Sequence, residues 1–532
     1  MFGSRRFRRS VFPGGVSNSL SALSLAAAIA LTLLIFLLYR GAKPPQSPDR
    51  TSLLMYCAAG ARYPVDEIVR EYEQRYGVKV EVQYGGSNSL LNQLEVARVG
   101  DLYLAGDETF MRLASNRQLV AEVLPLALQT PVIVVRRGNP RKIRGLDDLL
   151  RDDVTVVLGT PEGPAIGAMT RELLTASGHW DRLAAKVTQR GVFKPTVNDI
   201  ANDVKLGSVE AGIVWDATAT QYPELETVHD AALDRGTSRV EIGVLTSTRH
   251  ARAAIRCARY FAARNAGLEA FAKHAFQVVD GDVWEEQPEI TFFAGSVNRR
   301  VLEPIVTEFE QREGIRVNTV YNGCGILTAQ MRASLDNPGS AFPDTYMACD
   351  VYYLETVKDL FQEAVDVSDT DIVIAVQKGN PKSIRSLRDL LQPGLRVAVG
   401  QPEQCTIGVL TRRLLEKEGI YDQLLREHVV TQTATSALLV PSVTTGAADA
   451  ALAYATDTLG EPDRIEVIRV ESQLAKAVQP FSIARSSDHK HTGRRLFEHI
   501  ARSRAVFERN GFHWRLDALD PPQADTNPAE KP

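Results

Sequence analysis

The chain has 532 residues, which is too long for one compact hydrophobic core and predicts several folded lobes. Its composition, 44% hydrophobic and 24% charged, is that of an ordinary globular protein. A formal net charge of -4 offers no excess of basic residues, so we expect no nucleic-acid partner.

The first predicted element is a membrane anchor. Four arginines within residues 1–19 precede the apolar run LSALSLAAAIALTLLIFLLY at residues 20–39. As a helix this run can cross a bilayer core of about 30 Å, and the arginines favour a cytoplasmic N-terminus. A cleaved signal peptide is the alternative, although no A-x-A-like cleavage site follows the run. We therefore predict a single-pass protein of the inner (cytoplasmic) membrane, with a polar linker at 40–51 and the remaining chain in the periplasm or cell exterior.

The rest of the chain contains one unit twice. The stretch YCAAGARYPVDEIVREYEQRYGVKVEVQYGGSNSLL, from Tyr56, matches FFAGSVNRRVLEPIVTEFEQREGIRVNTVYNGCGILT, from Phe293. Later motifs match in the same order, TPEGPAIGAMTRELL with QPEQCTIGVLTRRLL and AGIVWDATAT with AALAYATDT. A period this long predicts two globular domains, at 52–283 and 284–517, rather than a solenoid. The proline-rich tail at 518–532 is expected to be disordered.

Strand and helix patterns alternate within each copy. Val65, Ile68, Val69 and Tyr72 recur at helical spacing, and the following VKVEVQY alternates at the period of a strand. This alternation predicts an α/β domain with a mostly parallel sheet. Ligands bind beyond the carboxyl ends of the strands in such sheets, so the loops at those ends are the candidate site.

Four strand-end loops of the first copy carry groups that can bind an anion. In the first loop no side chain is available to cap the following helix, so its open N–H groups and its dipole favour an anion. A loop capped by water is the alternative interpretation. The second loop adds glycines for close approach and hydroxyl and amide donors. The candidate residues of the four loops are Ala59, Gly60 and Arg62; Ser87 and Asn88; Ala165 and Ile166; and Trp215 and Asp216.

Nothing in these loops suggests catalysis. The nine histidines are scattered through the chain, and none lies in the four loops. The sequence contains no GxxxxGK[ST] motif of the kind that holds nucleotide phosphates. Without a nucleophile and base pair or a metal cluster, we predict a binding protein that is not an enzyme and uses no cofactor or metal.

These motifs together resemble the periplasmic molybdate-binding proteins, the solute receptors of ABC importers for tetrahedral oxyanions. The resemblance rests on CAAG, YGGSNSLL, GDLYLAGD, the GNP turn, TPEGPAIGAMTRELL and GIVWDATA, and it covers each copy almost end to end. It implies two tandem type II periplasmic-binding domains, each with two α/β lobes that a hinge joins and that close over the anion. Lobe one is expected to hold residues 52–128 and the end of the copy.

The resemblance also implies a ligand and partners. Hydroxyl and backbone N–H donors would surround an unprotonated dianion, and an ABC permease and ATPase encoded elsewhere would receive it. The family's first hydroxyl position falls on Gly60 and its terminal tyrosine on Trp215, and both depart from the family pattern. Arg62 could supply a charged donor instead. Molybdate is therefore the first candidate, and tungstate, sulfate, phosphate or a small organic acid stay open. An oxyanion sensor or storage protein with a diverged second site is the alternative function.

The second copy keeps the fold and changes the donors. Cys324 stands where the first copy has Ser87, and two further strand-end loops carry Cys349 and Cys405. A disulfide plus one buried thiol is one interpretation, and a thiol-lined cleft for a soft metal or a thiol-reactive ligand is the other. The remaining cysteines, Cys57 and Cys257, are predicted to be core residues. The candidate ligand-binding residues of this copy are Ser296, Asn298, Cys324, Gly325, Thr406 and Tyr454.

Overall fold

The computed structural model describes residues 52–336, 342–362 and 364–516. The predicted cytoplasmic segment, anchor, linker and tail lie outside these residues. Within the described ranges, no helix is both long enough and apolar enough to cross a membrane.

The first copy, here repeat one, alternates strands and helices as predicted. Its strands are β1 (Ser52–Ala58), β2 (Lys79–Gly85), β3 (Leu102–Ala105), β4 (Val120–Gln129), β5 (Pro131–Arg136), β6 (Val156–Gly159), β7 (Val192–Lys194), β8 (Ala211–Trp215), β9 (Leu225–Val228), β10 (Ser238–Leu245) and β11 (Gln277–Val278). Its α-helices are α1 (Arg62–Tyr76), α2 (Ser87–Ala97), α3 (Glu108–Asn116), α4 (Ala165–Ala176), α5 (Trp180–Arg190), α6 (Val197–Leu206), α7 (Asp216–Thr220), α8 (Ala231–Asp234), α9 (Ala251–Phe261) and α10 (Gly267–Lys273). Short 3-10 helices lie at Ala59–Ala61 and Leu146–Leu150.

The second copy, here repeat two, follows the same order. Its strands are β12 (Glu289–Gly295), β13 (Arg316–Asn322), β14 (Thr345–Met347), β15 (Val365–Gln377), β16 (Val397–Gly400), β17 (Val429–Thr433), β18 (Ala450–Tyr454), β19 (Ile465–Arg469), β20 (Lys476–Ile483) and β21 (His513–Trp514). Its α-helices are α11 (Arg299–Glu313), α12 (Cys324–Asp336), α13 (Val351–Glu355), α14 (Thr406–Lys417), α15 (Tyr421–Glu427), α16 (Leu439–Thr444), α17 (Ala455–Thr458), α18 (Lys490–Ala501) and α19 (Arg504–Arg509). Its 3-10 helices lie at Ser296–Asn298, Lys358–Leu360, Arg388–Leu391 and Ser436–Leu438.

Repeat one consists of two α/β lobes, as the resemblance implies. Lobe one has a six-stranded sheet in the order β11-β4-β10-β3-β1-β2, and lobe two a five-stranded sheet in the order β7-β6-β8-β5-β9. The strands β1, β2 and β3 are parallel, whereas β10 runs antiparallel to β3. Lobe one is therefore assembled from both ends of the repeat, with lobe two between them.

The predicted helical stripe forms part of the core of lobe one. Val65, Ile68 and Tyr72 of α1 are almost completely buried, together with Cys57 on β1 and Cys257 on α9. The three residues of α1 lie on one face of the helix because residues three and four apart share a side of a helix. Both cysteines are core residues, as predicted.

A hinge of two crossing segments joins the lobes of repeat one. Thr130 lies between β4 and β5, and Thr237 lies just before β10 on the returning segment. Their hydroxyl oxygens are 2.9 Å apart. Asp216 holds the first segment, since its carboxylate accepts the N–H of Thr130 and its own N–H donates to the Thr130 carbonyl. Pro131 starts β5 and has no N–H, which favours the break between the two strands.

The hinge of repeat two is built differently. The single strand β15 pairs with β20 of lobe one through residues 365–371 and with β18 of lobe two through residues 372–376. The two sheets of repeat two are therefore continuous, in the order β13-β12-β14-β20-β15-β18-β16-β17.

The first lobes of the two repeats pack against each other. Trp284, where the sequence predicts the start of the second domain, lies in the core of repeat one. Its indole N–H donates to the Tyr76 hydroxyl at 2.8 Å, and its ring meets that of Tyr260 edge to face at 4.9 Å. The domain boundary at 283 and 284 remains a prediction.

A buried cluster of charges lies in the same interface. Arg495 on α18 makes a bidentate salt bridge to Glu313 at the end of α11, with N···O distances of 2.8 and 3.1 Å. Arg259 on α9 of repeat one donates to the Glu313 carbonyl oxygen at 3.2 Å. Burial lowers the pKa of Arg259 to about 10, and the charge of Glu313 partly offsets that effect. Glu313 thus binds one buried guanidinium group through its carboxylate and a second, from the other repeat, through its backbone carbonyl oxygen.

Glu241 on β10 makes stability depend on pH. Burial, with the nearby carboxylates of Glu108 and Asp107, raises the pKa of Glu241 from 4.5 to about 7. The folded state therefore holds this proton more tightly than the unfolded chain, and stability falls as pH rises from about 4.5 to about 7. We expect Glu241→Gln to stabilise the protein by on the order of 1–2 kcal/mol at pH 8 and hardly at all at pH 4.5. Thermal unfolding of the variant and the wild type at both pH values measures this, and an equal shift at both would contradict it.

Candidate functional site

The four strand-end loops of repeat one meet in one pocket between the lobes. The first two loops come from lobe one and the last two from lobe two, so closing the hinge brings them together. The pocket is lined by Ala58, Ala59, Gly60, Ala61, Gly85, Gly86, Ser87, Gly106, Gln129, Pro164, Ala165, Ile166, Thr196, Val197, Trp215, Val240 and Phe276. Six of the predicted residues are therefore brought together here: Ala59, Gly60, Ser87, Ala165, Ile166 and Trp215.

The lobes are closed in this structure. The N–H of Asn88 on lobe one donates to the Gly163 carbonyl on lobe two at 3.1 Å. A side chain at Gly86 would lie 2.9 Å from the Pro195 carbonyl oxygen, so only glycine allows this approach. On the other side of the pocket, the Gln221 amide donates to the Gly60 carbonyl at 3.3 Å.

Three helix N-termini face the pocket without caps. The helices α1, α2 and α4 begin after Ala61, Gly86 and Pro164, and none of these residues makes a side-chain cap hydrogen bond. None of the three helices has an acidic residue in its first turn. The open N–H groups and the positive ends of three helix dipoles therefore favour an anion.

The pocket offers neutral donors only. Among the described residues that line it, none carries a charged side chain. The Ser87 hydroxyl accepts the N–H of Gly106 at 3.1 Å, and no described residue accepts a hydrogen bond from it in turn. The indole N–H of Trp215 likewise has no hydrogen-bond acceptor among the residues that the structure describes. Both groups can therefore donate to a ligand.

Three predicted residues of repeat one lie outside the pocket lining. Arg62 stacks on the ring of Tyr84, with its guanidinium carbon 4.5 Å from the ring centroid. The Asn88 side chain donates to the Glu162 carbonyl at 2.6 Å and so holds the lobes together. Asp216 belongs to the hinge, and burial raises the pKa of its carboxyl group.

Six lining residues lie outside the four predicted loops and were missed by the sequence prediction: Val240, Phe276, Gly106, Gln129, Thr196 and Val197. Gly106 follows β3 and lies within the GDLYLAGD motif, so its position at a strand end could have indicated it. Gln129 ends β4 at the hinge, and its amide donates to the Gly106 carbonyl at 2.5 Å. Thr196 and Val197 start α6, where the Thr196 hydroxyl accepts the Asp199 N–H as an N-cap. No local sequence signal distinguishes these last three from ordinary hinge and cap residues.

The corresponding cleft of repeat two is closed and packed with side chains. Asn298, Thr406 and Tyr454 are almost completely buried. The Asn298 amide donates to the carbonyl oxygens of Met347 and Ala348, and the Tyr454 hydroxyl has no hydrogen-bond partner in the described residues. At the edge of the cleft, two predicted residues join the lobes. Ser296 is 3.3 Å from Ser436 between hydroxyl oxygens, and the Gly325 N–H donates to a lobe-two carbonyl.

All five cysteines are buried free thiols. The sulfurs of Cys324 and Cys349 are 3.0 Å apart, whereas the thiol of Cys405 contacts the carbonyl oxygens of Gln401 and Thr433 at 3.5 Å. Within the described ranges, no group of three or more Cys, His, Asp and Glu side chains is arranged to hold a metal ion.

Two α/β lobes with this strand order, a crossing hinge and an uncharged strand-end pocket define a solute-binding protein of the type II periplasmic-binding fold. The chain belongs to the family described as bacterial extracellular solute-binding protein, whose family model matches residues 53–277 and again 290–513. The two matches confirm the tandem duplication.

Relatives of known name agree with this assignment. A Bacillus subtilis protein described by name as an ABC transporter substrate-binding lipoprotein, YvgL, is 26% identical over 252 residues, 46% of this chain and 95% of that protein. The molybdate-binding protein ModA of Mycobacterium tuberculosis is 29% identical over 183 residues, 34% of this chain and 67% of that protein. The solved periplasmic molybdate-binding protein of Azotobacter vinelandii matches at 15% identity and a TM-score of 0.37, over 42% of this chain and 99% of that chain. The two family-model matches, with the molybdate-binding relative of Mycobacterium tuberculosis, confirm the resemblance at the level of the family.

Proposed function

We propose that this chain is a membrane-anchored extracytoplasmic receptor that binds one small oxyanion in repeat one and delivers it to an ABC importer. The observation that carries the proposal is the pocket itself, where three uncapped helix N-termini meet with no charged side chain in the lining. Molybdate is the first candidate ligand, supported by the molybdate-binding relatives. The apolar segment at 20–39 would hold the receptor at the inner membrane, and a permease and an ATPase encoded elsewhere would be its partners.

Neutral donors favour an oxyanion that carries no proton at the binding pH. Each donor hydrogen needs an oxygen lone pair, and a protonated oxygen would place hydrogen against hydrogen. The Ser87 hydroxyl and the first backbone N–H groups of α2 and α4, apart from that of Asn88, supply such donors. In a closed cleft these hydrogen bonds to a charged ligand are each stabilising by about 1.5–3 kcal/mol.

Titration calorimetry of the full chain in detergent with molybdate, tungstate, sulfate and phosphate tests the proposal. We expect binding of at least one of these anions with one equivalent per chain, because the cleft of repeat two is filled by its own side chains. Binding of none of the four anions would overturn the proposal, and two equivalents would overturn the assignment to repeat one alone.

The variant Ser87→Ala assigns the binding to this pocket. Loss of one hydrogen bond to a charged ligand weakens affinity by about 1.5–3 kcal/mol, which is roughly tenfold to hundredfold. Ser89→Ala is the matched control, since Ser89 lies in the same first turn of α2 but is exposed and does not line the pocket. Equal affinities of the two variants would show that the ligand binds elsewhere.

A further inference from the structure

The cleft of repeat two carries two cysteines at positions that belong to the pocket in repeat one. Strand pairing aligns Cys349 with Gly106, because Tyr103 and Tyr346 pair with equivalent residues of the first strand in their repeats and each of the two positions lies three residues further on. Cys324 likewise corresponds to Ser87, since each is the first residue of its helix. The hydrogen bond between the two positions is also kept: the Gly106 N–H donates to Ser87, and the Cys349 N–H donates to the Cys324 sulfur, both at 3.1 Å.

A third substitution makes room for the additional side chain. Ala58 of repeat one is replaced by Gly295, as the parallel pairing of the first two strands in each repeat shows. A methyl group at Gly295 would collide with the Cys349 sulfur. The cysteine therefore requires the glycine, and the two substitutions act together.

The Cys349 sulfur lies against the start of the turn that follows the first strand of repeat two. A backbone hydrogen bond from Val297 lowers the pKa of the Cys349 thiol, although other effects on that thiol are larger. Val297 lies at the middle of the 3-10 turn that follows the first strand, the position that Gly60 has in repeat one. The turn that faces an open pocket in repeat one thus faces a sulfur in repeat two.

The pKa values of the two thiols are shifted in opposite directions. Burial raises the pKa of the Cys324 thiol, but hydrogen bonds from the thiol and the backbone N–H of Cys349 counteract burial, and that pKa lies below its usual value. The pKa of Cys349 is raised far above its usual value, first by its hydrogen bond to Cys324 and then by burial. Cys324 is therefore the better nucleophile, and Cys349 keeps its proton until a bond to Cys324 is about to form.

From the contact of the two sulfurs and the three coupled substitutions, we propose that Cys324 and Cys349 form a redox-active dithiol, which a disulfide-bearing reagent converts to an intramolecular disulfide. The Cys324 thiolate attacks one sulfur of the reagent and forms a mixed disulfide with it, and the other reagent sulfur leaves as a thiolate. Cys349 then attacks the Cys324 sulfur and releases the second reagent sulfur. The two cysteine protons pass to the two leaving thiolates, so the reagent is reduced by two electrons to two thiols and the protein is oxidised to one disulfide.

Both cysteines belong to lobe one of repeat two, so the bond forms without joining the lobes. The reagent enters when lobe two moves away, because both sulfurs are almost completely buried in the closed form. This site is separate from the pocket of repeat one, and its test does not depend on anion binding.

The test equilibrates the full chain in glutathione buffers with a stepwise increasing oxidised fraction, starting from both the reduced and the oxidised protein. After acid quenching, free thiols are alkylated in denaturant and the cysteine peptides are mapped by mass spectrometry. We expect a Cys324–Cys349 disulfide that disappears on addition of dithiothreitol, while Cys57 and Cys257 stay alkylated throughout. If Cys324 and Cys349 are both alkylated in the most oxidising buffer, or if either pairs with Cys405, the proposal is wrong.

Two cysteine variants test which thiols form the pair and which of them attacks first. Cys405→Ser removes a neighbouring thiol outside the pair and should leave the buffer ratio at half-oxidation unchanged. Cys349→Ser removes the second attack, so Cys324 should accumulate as its mixed disulfide with glutathione. If Cys349→Ser fails to fold, the peptide map of the wild-type protein still tests whether the Cys324–Cys349 disulfide forms, because that experiment needs no variant. A Cys349→Ser protein that folds but leaves Cys324 unmodified contradicts the assigned nucleophile.

Discussion

The double variant Ala58→Gly with Gly106→Cys is expected to abolish oxyanion binding by repeat one. The two changes give repeat one the glycine and the cysteine that repeat two has at these positions, Gly295 and Cys349. In the native pocket a side chain at Gly106 would start 3.3 Å from the Ser87 hydroxyl oxygen and 3.6 Å from the Ala165 side chain, on opposite lobes. A sulfur extending from that position would occupy the space between the donors. Loss of two hydrogen bonds to a charged ligand alone weakens affinity by about 3 kcal/mol or more, at least roughly hundredfold.

The single variant Ala58→Gly is the matched control for this experiment. It removes one methyl group from the pocket wall and keeps both donors, so we expect an affinity within about tenfold of the wild type. Calorimetry with the anion that binds the wild type best compares the proteins, and circular dichroism shows that each is folded. A folded double variant that keeps wild-type affinity would show that the anion does not lie between Gly106 and Ala165.

The variant Glu313→Gln is expected to cause the largest loss of stability. It removes the only charge in the described residues that pairs with Arg495, a side chain that is 4% exposed, and it weakens the field that holds Arg259. Removing one partner of a buried ion pair leaves an uncompensated charge and costs about 3–5 kcal/mol. Thermal unfolding of the full chain should show a transition lower by roughly 10 °C.

Glu303→Gln is the control for the interface prediction. It makes the same change on the same helix, where Glu303 pairs with Arg299 and both side chains are more than half exposed. An exposed pair of this kind contributes about 0.3–0.5 kcal/mol. If Glu313→Gln lowers the unfolding temperature no more than Glu303→Gln, the charge cluster does not stabilise the contact between the repeats.

The fold was accessible from the sequence because its signals are local and repeated. The helical spacing of Val65, Ile68 and Tyr72 predicts the buried face of α1, and the copy at Leu302, Ile305 and Phe309 predicts the same face of α11. Glycine-rich turns after alternating strands place the loops at the carboxyl edge of the sheet, because parallel strands end at the same side. Six residues chosen on that basis line the pocket of repeat one.

The positions that the sequence could not resolve depend on long-range contacts. Whether Asn88 binds a ligand or the opposite lobe depends on the distance to Glu162, which only closure of the hinge brings close. Whether the guanidinium of Arg62 enters the pocket also depends on its neighbours in the fold. In the structure it stacks on the ring of Tyr84 instead. Gln129 lines the pocket because it lies at the hinge, where two segments far apart in the chain cross.

The sequence by itself determined the duplication, the α/β class, the strand-end loops and the absence of a catalytic pair from those loops, because periodicity and order are properties of neighbouring residues. Only the tertiary structure decided that the thiol of Cys349 fills the cleft of repeat two, with Gly295 making room for it and Cys324 in contact with it. It also decided that Glu313 joins two buried arginines across the repeats. These contacts unite residues distant in the chain, and their energies depend on burial and on distances of a few ångströms, which no local pattern encodes.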